Sequence, residues 1–196
     1  RHVGEDMRLS LSRLISMLAA VPNIDYKVQG SGMGVPKVVD LPEEDVLFVN
    51  AGAVERGNAQ IQSAITADTE WLRRVMDANG LEPVGSFRIV TTELGRENYT
   101  FDVAQVVRKK GGGSVGRVTI PAGAPVKYEH HPAGGRAAMT TYTGYMAGLE
   151  NVRNALRAWA ATHGYDIKDR AFENYNSGIA GSFTQDGKFD VYWPIK

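Results

Sequence analysis

One internal repeat constrains this chain more than any other feature. Residues 46–54 read as a strand, 61–79 as an amphipathic helix, and 86–93 and 99–107 as two more strands. The same order returns as a strand over 136–145, a helix over 149–160, and strands over 171–175 and 189–195. In the first helix Ile61, Ile65, Leu72, Val75 and Met76 recur at helical spacing beside Trp71, and Asn79-Gly80 supplies a stop. In the second, Leu149, Val152, Leu156, Trp159 and Ala160 do the same, and His163-Gly164 ends it. Landmarks tie the halves together: Gly52 matches Gly144, Gly80 matches Gly164, Phe87 matches Phe172, and Phe101-Asp102-Val103 recurs as Phe189-Asp190-Val191. The expected fold class is α+β. Two tandem strand-helix-strand-strand repeats are related by a pseudo-twofold axis, a ligand groove lies between them, and an N-terminal amphipathic helix precedes them. Repeat one covers about 38–108 and repeat two about 115–196, together making a ligand-binding domain over 25–196.

Alternation along the last strands points to a site. Phe189, Val191, Trp193 and Ile195 share one face, which packs on helices, while Asp190 and Tyr192 share the other. Glu173 lies on the same strand face as Ala171 and Tyr175, opposite to Phe172. An acid beside tyrosines is what a pocket for an organic ligand needs. The Phe87–Phe172 landmark places Arg88 at the position of Glu173, so the two are expected either to pair across the axis or to leave Arg88 as a solvated strand residue. Glu173 itself reads as a pocket acid or as a surface or salt-bridged strand residue. Tyr142, ahead of Gly144 at a strand end, is placed to project into a groove, whereas Trp71, Trp159 and Trp193 read as core.

Composition removes several function classes. Lys and Arg number 22 against 22 Asp and Glu, with no basic stripe, so no direct nucleic-acid contact is expected. There is no cysteine, which excludes disulfides, thiol nucleophiles and thiolate metal sites. No apolar run approaches the roughly 20 residues of a membrane span. Adjacent strand residues His130 and His131 point to opposite faces, so Glu129-His130-His131 reads as a surface cluster and no metal site is expected. Gly30, Gly32 and Gly34 lack the spacing of a phosphate-binding loop and read as a linker or turn. No cofactor is implied.

Residues 1–24 stand apart. Met7, Leu11, Leu14, Ile15 and Leu18 mark a short amphipathic helix over 7–20, closed by Pro22. A helix this short needs a docking surface, which is expected to be this chain, an upstream domain, or a second copy of the chain.

Three local patterns carry a family resemblance. They are Pro132-Ala133-Gly134 followed by Tyr142-Thr143-Gly144-Tyr145, the strand Phe172-Glu173-Asn174-Tyr175, and the closing strand Asp190-Val191-Tyr192-Trp193-Pro194-Ile195. In this order and repeat context the sequence resembles the GyrI-like family, the effector-binding domain also found in AraC- and MerR-type regulators. The resemblance implies tandem α+β repeats around a ligand groove. It implies that Glu173 matches the acid that receives cationic aromatic ligands in drug-sensing relatives, and that Tyr175 and Tyr192 match aromatic positions. Where many relatives carry His-x-Gly-Pro, this chain has Tyr142-Thr143-Gly144-Tyr145, which alters one wall. The N-terminal helix also resembles the last helix of a polyketide-cyclase-like domain.

The expected function is non-catalytic binding, for sensing or sequestration, of a small apolar or aromatic molecule, with a cation as one option. The expected ligand-binding residues are Glu173, Tyr175, Tyr192, Tyr142 and Arg88. Two alternatives stand beside it. In a hydrolase of electrophilic small molecules, Glu173 would activate water and Tyr142 would polarise the leaving group. In an interaction module, the repeats or residues 1–24 would brace a partner.

Overall fold

The computed structural model describes residues 32–196. The helix expected over 7–20, the whole 1–24 segment and Gly30 of the glycine-rich stretch lie outside the described residues. Within them the chain runs β1 (Lys37–Leu41), β2 (Glu44–Glu55), α1 (Asn58–Ala78), β3 (Leu81–Pro83), β4 (Arg88–Leu94), β5 (Asn98–Lys109), β6 (Val126–His131) and β7 (Gly135–Thr143). A 3-10 turn at Met146–Gly148 then leads into α2 (Leu149–Thr162), β8 (Phe172–Tyr175), α3 (Gly178–Ser182) and β9 (Lys188–Ile195). The class is α+β with one curled antiparallel sheet.

Both long helices form where the apolar periodicity puts them. In α1 the buried residues are Ile61, Ile65, Leu72, Val75 and Met76, and in α2 Leu149, Val152, Leu156, Trp159 and Ala160 are buried together with Arg153. Gly80 and Gly164, at φ of 63° and 78°, follow the two helices in the left-handed conformation that favours glycine.

The sheet order is β1-β7-β9-β8-β4-β5-β2-β6, with β3 added beside β5. Exchanging β1, β7, β9 and β8 for β6, β2, β5 and β4 leaves that order unchanged when it is read from the other end. The short outer strands trade places: β1 runs into β2 but pairs with β7, and β6 runs into β7 but pairs with β2. The sequence did not reveal β1 or β3. β1 is only five residues long, and Pro36 and Pro42 flank it. At the start of the second repeat, Val126–His131 pairs with β2 as an outer strand.

Bulges bend the long strands. On β2 the register jumps between Asn50 and Gly52, where Gly52 adopts φ 72° and donates its N–H to Asn50 Oδ1 at 2.6 Å. On β4 it jumps between Thr91 and Glu93. The helices cover one face, where Leu47, Val49, Ile89, Phe101, Val103 and Val191 belong to the main core. The opposite face carries a smaller cluster of Val46, Ala104 and Val106, against which Phe48 and Val90 pack.

Candidate functional site

The two halves meet where β4 pairs with β8, and the middle pair of that register is Ile89 with Glu173. Ile89 also pairs with Val103, and Glu173 with Val191. Because Phe101-Asp102-Val103 and Phe189-Asp190-Val191 are the matching landmarks, Glu173 corresponds to Ile89 and not to Arg88. The Phe87–Phe172 landmark is out by one residue, and on a strand one residue reverses the face. Arg88 therefore points away from the helices and does not meet Glu173. Both terminal guanidinium nitrogens of Arg88 donate to Glu44, at 3.0 and 2.9 Å, and its Cζ lies 4.6 Å from the centre of the Phe172 ring.

Glu173 points into the helix-side core with 0% of its surface exposed. Its partner is Arg153, from the inward face of α2, which bonds Glu173 Oε1. Glu173 Oε2 is buried with no hydrogen-bond partner among the described residues. Burial raises the carboxyl above the usual carboxylate range, and Arg153 opposes that shift without cancelling it. On Arg153, burial disfavours the charge, yet Glu173, Tyr99 and Tyr175 together outweigh it and hold the guanidinium more firmly protonated.

Aromatic groups enclose the pair. The Tyr99 ring centre lies 5.9 Å from Arg153 Cζ, and its hydroxyl shares a 2.6 Å hydrogen bond with Thr91 Oγ1. Tyr175 is fully buried beside Glu173, with the Phe87 ring at 5.2 Å and the Phe189 ring edge-on at 4.9 Å. Burial pushes the hydroxyls of Tyr99 and Tyr175 up, so both stay neutral donors. Tyr142 stacks on Phe189 at 5.7 Å and donates its hydroxyl to the Tyr145 carbonyl at 3.0 Å. Gly148 makes room for it: a Cβ there would lie 2.1 Å from the Tyr142 hydroxyl.

A cleft of about 600 Å³ opens beside Arg153. The end of β4, from Thr91 to Leu94, forms one wall, and Glu150, Arg153, Arg157 and Trp193 form the other. Arg153 thus separates the cleft from Glu173. The Trp193 indole N–H donates to the Arg153 carbonyl at 2.9 Å and ties α2 to β9 at that point.

No family model matches the chain. No curated protein matches it either. Solved structures do. The crystal structure of the EcmrR C-terminal domain superposes with a TM-score of 0.64 at 17% identity, covering 82% of this chain and 96% of that one. The chain has the GyrI-like effector-binding fold. EcmrR in its DNA complex matches 100% of this chain and 72% of its own, with a TM-score of 0.66 at 19% identity. A hydrolase from Listeria innocua matches with a TM-score of 0.57 at 11% identity, over 82% and 91% of the two chains.

On this GyrI-like fold the five expected ligand residues divide between two faces. Glu173, Tyr175 and Tyr142 lie on the helix side. Tyr192 pairs with Phe172 in the register and stacks on its ring at 4.7 Å, which places it with Arg88 on the opposite face. A second cavity of about 600 Å³ lies there, lined by Glu44, Val46, Phe48, Arg88, Arg170 and Phe172 among others. His130 and His131 are exposed on β6 and bond separate carboxylates: Asp45 at 2.9 Å and Glu43 at 3.1 Å for the first, Glu129 at 3.0 Å for the second.

Sequence reasoning missed Arg153 and Tyr99. A signal existed for each. Arg153 falls four residues after Leu149 and three before Leu156, squarely on the apolar stripe of α2, where a charge demands a buried partner. Tyr99 alternates with Phe101 and Val103 on β5, two and four residues before core positions.

Proposed function

We propose that this domain binds a small apolar or aromatic molecule on the helix side of the sheet, between the two halves, with Glu173 as the charged contact and Tyr99, Tyr175 and Tyr142 as walls. The halves are taken to be related by a pseudo-twofold axis through the Ile89–Glu173 pair. One observation carries the reading. At the matching position in the other half the buried residue is Ile89, so the fold accepts an aliphatic side chain there. A buried carboxylate with an unpartnered oxygen is therefore not a requirement of the sheet, and burying a charge is costly unless something uses it. The cleft outside Arg153 supplies the approach, and its volume lies in the range of small-molecule sites. The effector-binding architecture shared with EcmrR adds support at the level of fold.

The test is a thermal-shift and calorimetric series with rhodamine 6G as cation, a neutral analogue and an anionic one, on the wild type and Glu173→Gln. A bound ligand at about 100 times its dissociation constant stabilises the fold by about 2.7 kcal/mol. Preference for the cation, lost in Glu173→Gln, supports the reading. Equal binding of all three probes, unchanged in the variant, removes Glu173 from it.

The hydrolytic alternative draws support from the elevated carboxyl of Glu173 and from the Listeria innocua neighbour that is called a hydrolase. Mass spectrometry of bound compounds separates the two readings: a binder returns its ligand intact, and an enzyme does not.

A further inference from the structure

We infer that Arg153 is a built-in occupant of the Glu173 site, and that the ligand class it excludes, and so defines, is an aromatic amidinium or guanidinium that replaces its head group. The inference rests on the proposed reading of Glu173 as the ligand's charged contact, and deepens it by naming what already fills that place.

Four observations carry the argument. Arg153 is 7% exposed and lies on the apolar stripe of α2, where no strand or helix end requires a charge. It engages only one oxygen of Glu173, leaving Oε2 without a partner, whereas a free amidinium can approach a carboxylate with two parallel N–H donors. Its Cζ lies over the Tyr99 ring, so a carboxylate and an aromatic face already hold a planar cation there. Finally, Arg153 lines the cleft, so the side chain has open space into which to swing.

An internal cation changes the expected effect of mutation. If Arg153 were only a structural partner, removing it would damage the site and weaken every ligand. As an occupant it competes with ligand, and its removal leaves a hole of arginine shape ending at a carboxylate. Benzamidine, a flat ring bearing an amidinium, matches the lost head group in charge and in its paired N–H donors. A neutral isostere such as benzamide lacks the charge and gains nothing from the vacancy.

The experiment measures benzamidine and benzamide binding by calorimetry and thermal shift on the wild type, Arg153→Ala, Glu173→Gln and the Arg153→Ala/Glu173→Gln double variant. The expected result is that Arg153→Ala binds benzamidine at least about tenfold more tightly than the wild type and regains thermal stability on binding it. Benzamide shows no such gain, and the double variant loses it. Arg153→Lys keeps a charge on α2 with a weaker hold on the carboxylate and gives an intermediate gain, which preserves the test should the alanine variant fold poorly. Benzamidine affinity that is unchanged or reduced in both Arg153 variants overturns the inference, as does a gain that persists in the double variant. Cation binding by the wild type that is lost in Glu173→Gln, together with no gain in either Arg153 variant, would leave the proposed function standing and remove this inference alone.

Discussion

Ile89 and Glu173 face each other at the centre of the sheet, paired in register between β4 and β8, and neither exposes any surface. One half of the molecule places an isoleucine where the other places a carboxylate. The contrast sets out what can be exchanged at this site without loss of fold.

Replacing the ion pair by apolar side chains tests that contrast. Glu173→Ile alone leaves the Arg153 guanidinium buried without its carboxylate and is expected to cost about 3–5 kcal/mol. Adding Arg153→Met should return stability to the wild-type level or to about 1–4 kcal/mol above it. Urea denaturation of the two variants measures both numbers. A double variant less stable than Glu173→Ile would show that the pair holds the sheet together.

The raised Glu173 carboxyl gives a signed pH dependence. The ordinary value is 4.5, and burial moves the folded-state value above it. Between those two values the folded chain holds more protons than the unfolded one, so this group's contribution to stability falls as pH rises through the window. Cation affinity runs the other way, increasing as the carboxyl ionises. Calorimetry of rhodamine 6G binding at several pH values from 4.5 upward is expected to show affinity rising with pH. A flat profile would separate the carboxylate from binding.

Arg88 belongs to the other face. Its fork on Glu44 and its stacking on Phe172 join β4, β2 and β8, with both charged side chains mostly buried, at 12% and 15% exposed. Arg88→Ala is expected to destabilise the fold by about 2–4 kcal/mol, since it strands the Glu44 carboxylate. It should leave Glu173-dependent ligand binding unchanged. Loss of binding at constant stability would place Arg88 in the ligand site after all.

At the outer edge of the sheet, His130 is held above its ordinary value of 6.5, first by its hydrogen bond to Asp45 and further by the charges of Asp45 and Glu43. A raised histidine contributes stability that is fully present below 6.5 and is lost as pH rises through the folded-state value. The ring resonances of His130, followed by NMR, should titrate above 6.5. Asp45→Asn should bring the His130 midpoint back toward 6.5.

Much of the fold was legible because it rests on periodicity. The stripes of α1 and α2, the alternation of β5 and β9 and the two helix-stopping glycines all appear in short windows of sequence. The short strands β1 and β3 were not legible, since three to five residues carry too little pattern and their partners are far along the chain. The exchange of β1 and β6 between halves is likewise non-local. Of the candidate residues, Glu173 and Tyr175 share a face as their alternation indicated, while the register puts Tyr192 and Arg88 on the opposite one.

The sequence alone determined the helices, the alternating strands and the presence of an acid among tyrosines, because each follows from spacing along the chain. It could not decide which face of the sheet meets which, because that depends on the register between β4 and β8, and an offset of one residue reverses every side chain. Nor could it pair Arg153 with Glu173, which lie 20 residues apart on a helix and a strand. Packing α2 onto the sheet brings them together, since a guanidinium held among apolar side chains must find a carboxylate.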